Sequence, residues 1–389
     1  MLEQIRQSID DHFSDMVEIR RYLHQYPELS FQEYETAKYI ANFYENLGIP
    51  YQTNVGGNGV IATLKGGQPG KTIALRADFD ALPIQEENAV AYKSKVDGIM
   101  HACGHDGHTA TLLVLAKVMQ TYQDDLPGTV VFVHQHAEEY APGGAKSIVE
   151  SGALDHVDAV FGTHLWATTP LGVVQTAKDV LMAGADRFEI TIQGHGGHGA
   201  YPHETKDAIV IGAQIVTALQ QITSRRIDPL ETAVVTVGQF QAGDAFNIIA
   251  DQARLTGTVR YLKTAIQEQV ITEMEKMVDG ICKANGATYD LNYVKGYPPL
   301  ANHVEEATLI LEASQNIKDI HSREEIRPVM GGEDFAYYIK QKPGAYFFTG
   351  AQKEDNPYPH HHPKFDIDER AMPIAAKTLL GVYFAYQNK

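Results

Sequence analysis

The sequence predicts an α/β protein in which a mixed, largely parallel sheet forms one discontinuous domain and a ferredoxin-like α+β domain is inserted into it. Three observations lead there. The 389 residues exceed the roughly 100–200 of one ordinary domain. Short apolar strands alternate with helices up to about residue 180, the pattern of a parallel sheet with helices on both faces. The order then becomes strand, helix, two strands, helix, strand, the ferredoxin-like arrangement, before the first texture resumes. The expected division is 1–180 plus 296–389 for the discontinuous catalytic domain and 181–295 for the insertion.

Each element has a local reason. Leu2, Ile5, Ile9, Phe13, Met16 and Val17 recur at three- and four-residue spacing and predict one amphipathic helix, stopped at Pro27. A second helix is expected from Ser30, where Ser30 and Glu33 fit a capping box, to Gly48. Strands are expected at 60–64, 72–75, 130–133 and 159–163, and helices at 109–119 and 144–149. In the insertion, Phe188, Ile190 and Ile192 alternate as in a half-buried strand. A helix at 207–223, strands at 232–238 and 253–261, a helix at 265–284 and a strand at 288–294 follow. A strand at 346–349 and a helix at 369–387 close the chain.

Composition excludes several function classes. Apolar residues make up 44% and charged residues 21%, enough for a large core and unlike a disordered chain. Lys and Arg total 32 against 49 Asp and Glu, a net charge of −17. That balance argues against nucleic acid and anionic membrane surfaces as partners, since both select basic proteins. Two cysteines, Cys103 and Cys282, make no disulfide framework, and no apolar signal core or membrane-length run is present. The expectation is a soluble cytoplasmic enzyme.

The chemistry concentrates in a few motifs. Met100-His-Ala-Cys-Gly-His-Asp-Gly-His108 packs five ionisable or metal-capable groups into nine residues, and the thiol of Cys103 with the imidazole of His105 suits a borderline-soft divalent ion. Glu138 and Glu139 follow the apolar strand 130–133. Adjacent carboxylates on a loop point apart, so one can bind a metal while the other moves a proton. His164 ends the strand 159–163, and His360-His-His-Pro-Lys-Phe-Asp follows the strand 346–349. An interior position followed by Pro-Lys-Phe-Asp-Ile-Asp argues against a purification tag. These residues are far apart in sequence, so the site would be built by the fold at one edge of the sheet, as catalytic rather than ribbon-type structural sites are. Asp78 and Asp80 follow the strand 72–75; a carboxylate there could ligate a metal or accept the second N–H of a ligand histidine, the role expected of Asp80, while at least one of the two only caps the turn. Gly194-His-Gly-Gly-His-Gly-Ala-Tyr-Pro202 is a flexible loop carrying His195 and His198.

Taken together, Arg76-Ala-Asp-Phe-Asp-Ala-Leu-Pro83, Met100–Ala110, Ala137-Glu-Glu139, Gly-Thr-His164 and His361-His-Pro-Lys-Phe365 resemble the zinc/manganese amidohydrolase family of aminoacylases and carboxypeptidases. The cysteine in the metal loop resembles its hippurate hydrolase and auxin-conjugate hydrolase branch. The resemblance runs over essentially the whole chain. It implies two divalent ions per subunit, manganese or zinc with cobalt or nickel as further options. The implied ligands are Cys103, His105, Glu139, His164 and His361, the last because it stands two residues before Pro363. It places Glu138 as general acid/base and His198 as a residue reaching the active site from the insertion, in relatives often from the partner subunit. Asn247 falls near the substrate carboxylate or oxyanion. The insertion would be a dimerisation and lid domain in a homodimer or homotetramer. Two departures stand out: His136 and Ala250 occupy positions where relatives commonly carry proline, which bears on substrate fit.

The implied reaction is hydrolysis of an N-acyl or N-aroyl amino acid to a carboxylate and a free amino acid. Dipeptidase or carboxypeptidase activity is the nearest alternative. A non-catalytic metal-binding scaffold has no use for an unligated Glu138, and a nucleobase deaminase lacks its Pro-Cys-x-x-Cys element here.

Overall fold

A computed structural model describes residues 1–389 as two compact units. The first comprises Met1–Leu181, Ala301–Arg327 and Asp334–Lys389, and the second Met182–Leu300 and Pro328–Glu333.

The opening helix is two helices, α1 (Leu2–Asp11) and α2 (Phe13–Gln25), with a break at His12 (φ −99°, ψ 17°), whose Nδ1 bonds the Ser8 carbonyl at 2.8 Å. The apolar spacing is continuous across the break, so periodicity alone could not show it. Helix α3 (Tyr34–Leu47) starts later than expected and ends on Gly48, whose φ of 69° is the left-handed C-cap that glycine adopts without strain. The expected capping box does not form. The Glu28 carboxylate accepts the Glu35 and Thr36 N–H groups at 3.2 and 2.8 Å instead, leaving Ser30 and Glu33 for other partners.

The chain continues through β1 (Tyr51–Val55), β2 (Gly59–Lys65), β3 (Gln68–Asp78), α4 (His105–Thr121), β4 (Pro127–Gln135), α5 (Gly144–Glu150), β5 (Ala159–Trp166), β6 (Val173–Thr176) and β7 (Val180–Met182). The second unit holds β8 (Gly184–Gln193), β9 (Gly197–His198), α6 (Ala208–Gln221), β10 (Ala233–Ala242), β11 (Ile248–Ile249), β12 (Gln252–Tyr261), α7 (Thr264–Ala284) and β13 (Thr288–Tyr297). The return runs through β14 (Leu300–Ala301), α8 (Val304–Ala313), β15 (Ser322–Glu325), α9 (Ala336–Ile339), β16 (Gly344–Gly350) and α10 (Ala371–Gln387).

In the first unit eight strands form one sheet in the order β1-β2-β4-β3-β5-β16-β6-β15. Its centre is parallel (β4 with β3, β3 with β5, β5 with β16), while β1, β2 and the β16–β6 step are antiparallel. The central strands β5 and β16 are buried along almost their whole length, as parallel strands covered on both faces must be. Helices α4 and α10 are almost wholly buried as well. Leu112, Leu115, Phe132, Phe161, Phe347 and Leu380 belong to the resulting core, each worth about 1.5–3 kcal/mol on burial. Strands β3, β4 and β5 run parallel, so their carboxyl ends share one edge, where open α/β sheets collect ligands.

The second unit is a four-stranded antiparallel sheet in the order β10-β12-β8-β13. Phe188, Ile190 and Ile192 of β8 share its core with Ile211, Ile215 and Leu219 of α6 and Val270 and Met274 of α7. A small ribbon pairs Ile248 of β11 with His198 of β9.

Candidate metal centre

The loop before α4 is seated by reciprocal backbone hydrogen bonds between Leu82 and Met100, both 3.0 Å. Gly104 takes φ 97°, and α4 begins at His105, four residues before its expected start. Cys103 and His105 therefore flank a left-handed residue, a conformation that glycine supplies without strain. Cys103 Sγ lies 3.4 Å from His164 Nε2. The His164 Nδ1–H faces the Leu165 carbonyl at 3.1 Å, which leaves Nε2 bare for a ligand. His105 Nδ1 bonds Asp80 at both its carbonyl (3.0 Å) and Oδ1 (3.1 Å), so its Nε2 faces inward. That Nε2 is 3.9 Å from Glu139 Oε1, which lies 3.1 Å from His361 Nε2. His361 holds φ 63° and is tied to the metal loop by its N–H to the Ala102 carbonyl at 2.8 Å.

The ligand atoms fall into overlapping sets, each within 4.8 Å: Cys103, His105 and His164; Cys103, Glu139 and His361; and His105, Glu138 and Glu139. Two ligands on one tetrahedral zinc stand about 3.5 Å apart, so the Cys103–His164 and Glu139–His361 spacings suit a shared ion. His105 Nε2 is buried without a hydrogen-bond partner, a cost a coordinated ion would remove. The field agrees. Burial penalises a charged His105, yet Asp78, Asp80 and Glu139 outweigh it and push the imidazole up to about 10. Burial drives the Cys103 thiol well above its ordinary range, with Glu139 and Glu138 adding to the effect. Such a pocket calls for positive charge, and a thiolate forms in it only beside a cation. The donor set fits divalent metal.

Other groups here are spoken for. His108 bonds Asp78 Oδ1 through Nδ1 at 2.6 Å and accepts the Leu165 N–H on Nε2 at 2.9 Å, so neither nitrogen is left for a metal. Burial raises and Arg76, His105 and His108 lower the Asp78 carboxyl, which ends well below the usual range. Within the triplet, His360 accepts the Ala167 N–H on Nε2 at 3.1 Å, and burial brings it down to about 3, so it stays neutral. Asp80 accepts from His105, from Ser30 Oγ at 2.7 Å and from the Glu139 N–H at 3.0 Å. It fixes both a candidate ligand and the backbone of another. Ser30 and Glu33 have the spacing of a capping box, which masks their link to this site: Ser30 Oγ donates to Asp80 and Glu33 Oε1 accepts the Ala137 N–H.

Glu138 is buried and sits on the turn after β4. The residue before it, Ala137, has φ 51°, a left-handed setting that costs a non-glycine residue about 1–3 kcal/mol and persists only where neighbours enforce it. His198 and Asn247 belong to the second unit and are neighbours there: the Gly199 N–H donates to the Asn247 carbonyl at 2.9 Å. His198 is exposed and accepts the Ala200 N–H on Nδ1 at 3.0 Å, which puts its own proton on Nε2 as a free donor.

Comparison with known proteins bears on this centre. The sequence pattern of peptidase family M20/M25/M40 matches residues 74–384. An N-acyl-L-amino acid amidohydrolase of Geobacillus stearothermophilus is 47% identical over 303 residues, covering 78% of this chain and 82% of that protein. Thermostable carboxypeptidase 1 of Saccharolobus solfataricus is 38% identical over 392 residues, 99% of each chain. Among solved structures, the Bacillus subtilis YXEP protein, described as a dinuclear metal binding peptidase, is 35% identical with a TM-score of 0.84, covering 98% of this chain and 99% of that one.

Proposed function

The chain belongs to peptidase family M20/M25/M40, and from that premise we propose that it is a metal-dependent amidohydrolase cleaving N-acyl amino acids, N-acetyl, N-benzoyl or similar, to a carboxylate and a free amino acid. The observation that carries this reading is the convergence of Cys103, His105, Glu139, His164 and His361 with Glu138 beside them. The similarity to an N-acyl-L-amino acid amidohydrolase supports the substrate class.

The five residues would hold two divalent ions, manganese or zinc, with cobalt or nickel as further candidates. Such ions, when bound, supply a water acidic enough to ionise near neutrality and polarise the scissile carbonyl. Asp80 keeps His105 in the tautomer with Nε2 bare. Glu138 takes a proton from the attacking water and returns it to the amide nitrogen as the C–N bond breaks. His198 offers its Nε2–H to the oxyanion, and Asn247 binds the substrate carboxylate or that same oxyanion. A second reading, carboxypeptidase or dipeptidase activity, uses the same groups on a peptide amide and is supported by the similarity to a thermostable carboxypeptidase.

A thiol ligand must stay reduced to bind metal. Cys103 therefore favours the cytoplasm, and the net charge of −17 disfavours nucleic acid and anionic membranes as partners. No helix is long and apolar enough to cross a membrane. A homodimer or homotetramer formed through the second unit completes the proposal. The test is a panel of N-acetyl, N-benzoyl and indole-acyl amino acids and dipeptides, assayed with manganese and with zinc. Hydrolysis of the acyl amino acids ahead of the dipeptides is expected; cleavage of dipeptides alone would favour the second reading, and no metal-dependent amide hydrolysis would end both.

A further inference from the structure

Glu33 is fully buried, and its side chain does nothing for the helix it precedes. It stands at the N-cap of α3 but makes no capping bond there, the first helical N–H groups being served by Glu28. Its carboxylate reaches into the other unassigned feature of the site, the left-handed turn at Ala137. Glu33 Oε1 accepts the Ala137 N–H at 2.9 Å and the Phe31 N–H at 2.9 Å, while Oε2 accepts Asn58 Nδ2 at 2.9 Å. The other side of the same residue is held too, since the Gly144 N–H donates to the Ala137 carbonyl at 3.1 Å. Two residues further on, the Glu139 N–H is pinned separately by Asp80 at 3.0 Å.

The geometry points to Glu33 as a positioning residue for Glu138: it holds the Ala137 turn in the left-handed conformation from which Glu138 projects. The inference rests on the reading of Glu138 as the proton carrier. Release of the Ala137 N–H lets that residue relax towards ordinary φ values, which swings the Cα–Cβ direction of Glu138. Glu139 keeps its own anchor at Asp80, so the metal ligands are spared. Loss of Glu33 should therefore act on proton transfer and leave metal binding alone, a separation that general loosening of the fold would not produce.

The experiment uses the full-length, metal-loaded chain and its fastest substrate from the acyl amino acid panel. Glu33→Ala is expected to lower kcat by about 10²-fold, the scale of a 1 Å misplacement, with KM and bound metal unchanged. Glu33→Gln keeps an acceptor oxygen for the Ala137 N–H and should recover most of the turnover. Asn58→Ala removes a different bond to the same carboxylate and should leave kcat near its starting value. In a Glu138→Ala background, Glu33→Ala should cost nothing further, because the group it positions is gone. Glu33→Asp retracts the carboxylate by one methylene and serves the same purpose should Glu33→Ala fail to fold. Equal losses in the presence and absence of Glu138, loss of metal with Glu33→Ala, or an Asn58→Ala variant as slow as Glu33→Ala would overturn the positioning role. Normal turnover of Glu138→Ala on its own would instead overturn the assignment of the proton carrier.

Discussion

Glu138 and Glu139 are consecutive, and the proposed function gives them different work that mutation should separate. Glu139 Oε1 faces His105 and His361, so Glu139→Ala is expected to lower bound metal, read by elemental analysis. Glu138→Ala should keep its metal and substrate affinity and lose about 10²–10⁴ in kcat, the range for a general acid/base; equal metal loss in both would cancel the division of roles. Cys103 tests the centre itself. Its thiol must ionise to ligate, and with burial and two glutamates opposing that, Cys103→Ser should lower metal occupancy and chelation should abolish activity. A chelated preparation at full activity would refute the metal centre. Glu33 adds a prediction in pH. Burial, with Asp80 nearby, raises its carboxyl from 4.5 to about 7 although Asn58 and Ala137 hydrogen bonds oppose this. Between those values the folded state holds a proton the unfolded state has lost, so this group's contribution to stability is present at pH 4.5 and declines as pH rises to about 7. Glu33→Gln cannot ionise, so its melting temperature relative to wild type should improve from pH 5 to pH 8; a constant difference would contradict the shift. At this scale the candidate ligands are legible because Cys103, His105, Glu139 and His164 sit in local motifs. Glu33, Ser30 and the His108–Asp78 pair are not, since what each does depends on a residue from another part of the chain.

Among the elements, β10 presents an edge that needs an explanation. It is an outer strand of its sheet, and from Thr232 to Gly243 it carries no charge in a chain whose net charge is −17. Helix α6 beside it is uncharged from Ala208 to Ile222 and exposes Ile209 and Val210 at 42% and 50%. Isolated edges are usually protected by charge or proline, so this one is expected to be covered by a second copy, strand to strand. Val234 and Thr236 point to the exposed side of β10. Replacing both with Lys should shift the sedimenting species towards monomer while the far-ultraviolet circular dichroism stays the same. An unchanged oligomer would move the interface elsewhere. The same physics explains which elements the sequence revealed. Apolar runs such as 130–133 and 159–163 mark buried central strands and were read correctly in place, if short. Strands β1 (Tyr-Gln-Thr-Asn-Val) and β15 (Ser-Arg-Glu-Glu) lie at the sheet's two edges, where backbone pairing forms without much burial, so no apolar pattern announces them.

For the whole molecule, the change in texture near residue 180 and its reversal near 296 were visible because a buried parallel sheet and a one-sided antiparallel sheet demand different apolar periods. The short segment Pro328–Glu333, which groups with the second unit, carries no such period and was not separable by pattern. The loop Gly194–Pro202 holds His198, whose Nδ1 accepts the Ala200 N–H and whose Nε2–H is left to donate; under the proposed function it serves the reaction by reaching the metal centre. If the second unit pairs two chains through β10, that centre can belong to the partner. His198→Ala should then cut kcat without altering bound metal, because His198 is not a ligand, and removal of an oxyanion donor costs about 10²–10³-fold elsewhere. The decisive form of the test mixes two inactive enzymes, His198→Ala and Glu138→Ala, under conditions that exchange subunits. With His198 acting across the interface, a mixed dimer has one site carrying both lesions and one carrying neither, so activity should return towards half of the wild-type value per mixed dimer. With His198 acting inside its own chain, every site keeps one lesion and mixing restores nothing. Mixed dimers verified by differential tagging that stay inactive would therefore confine His198 to its own subunit, whereas recovery would require both the dimer and the shared site at once.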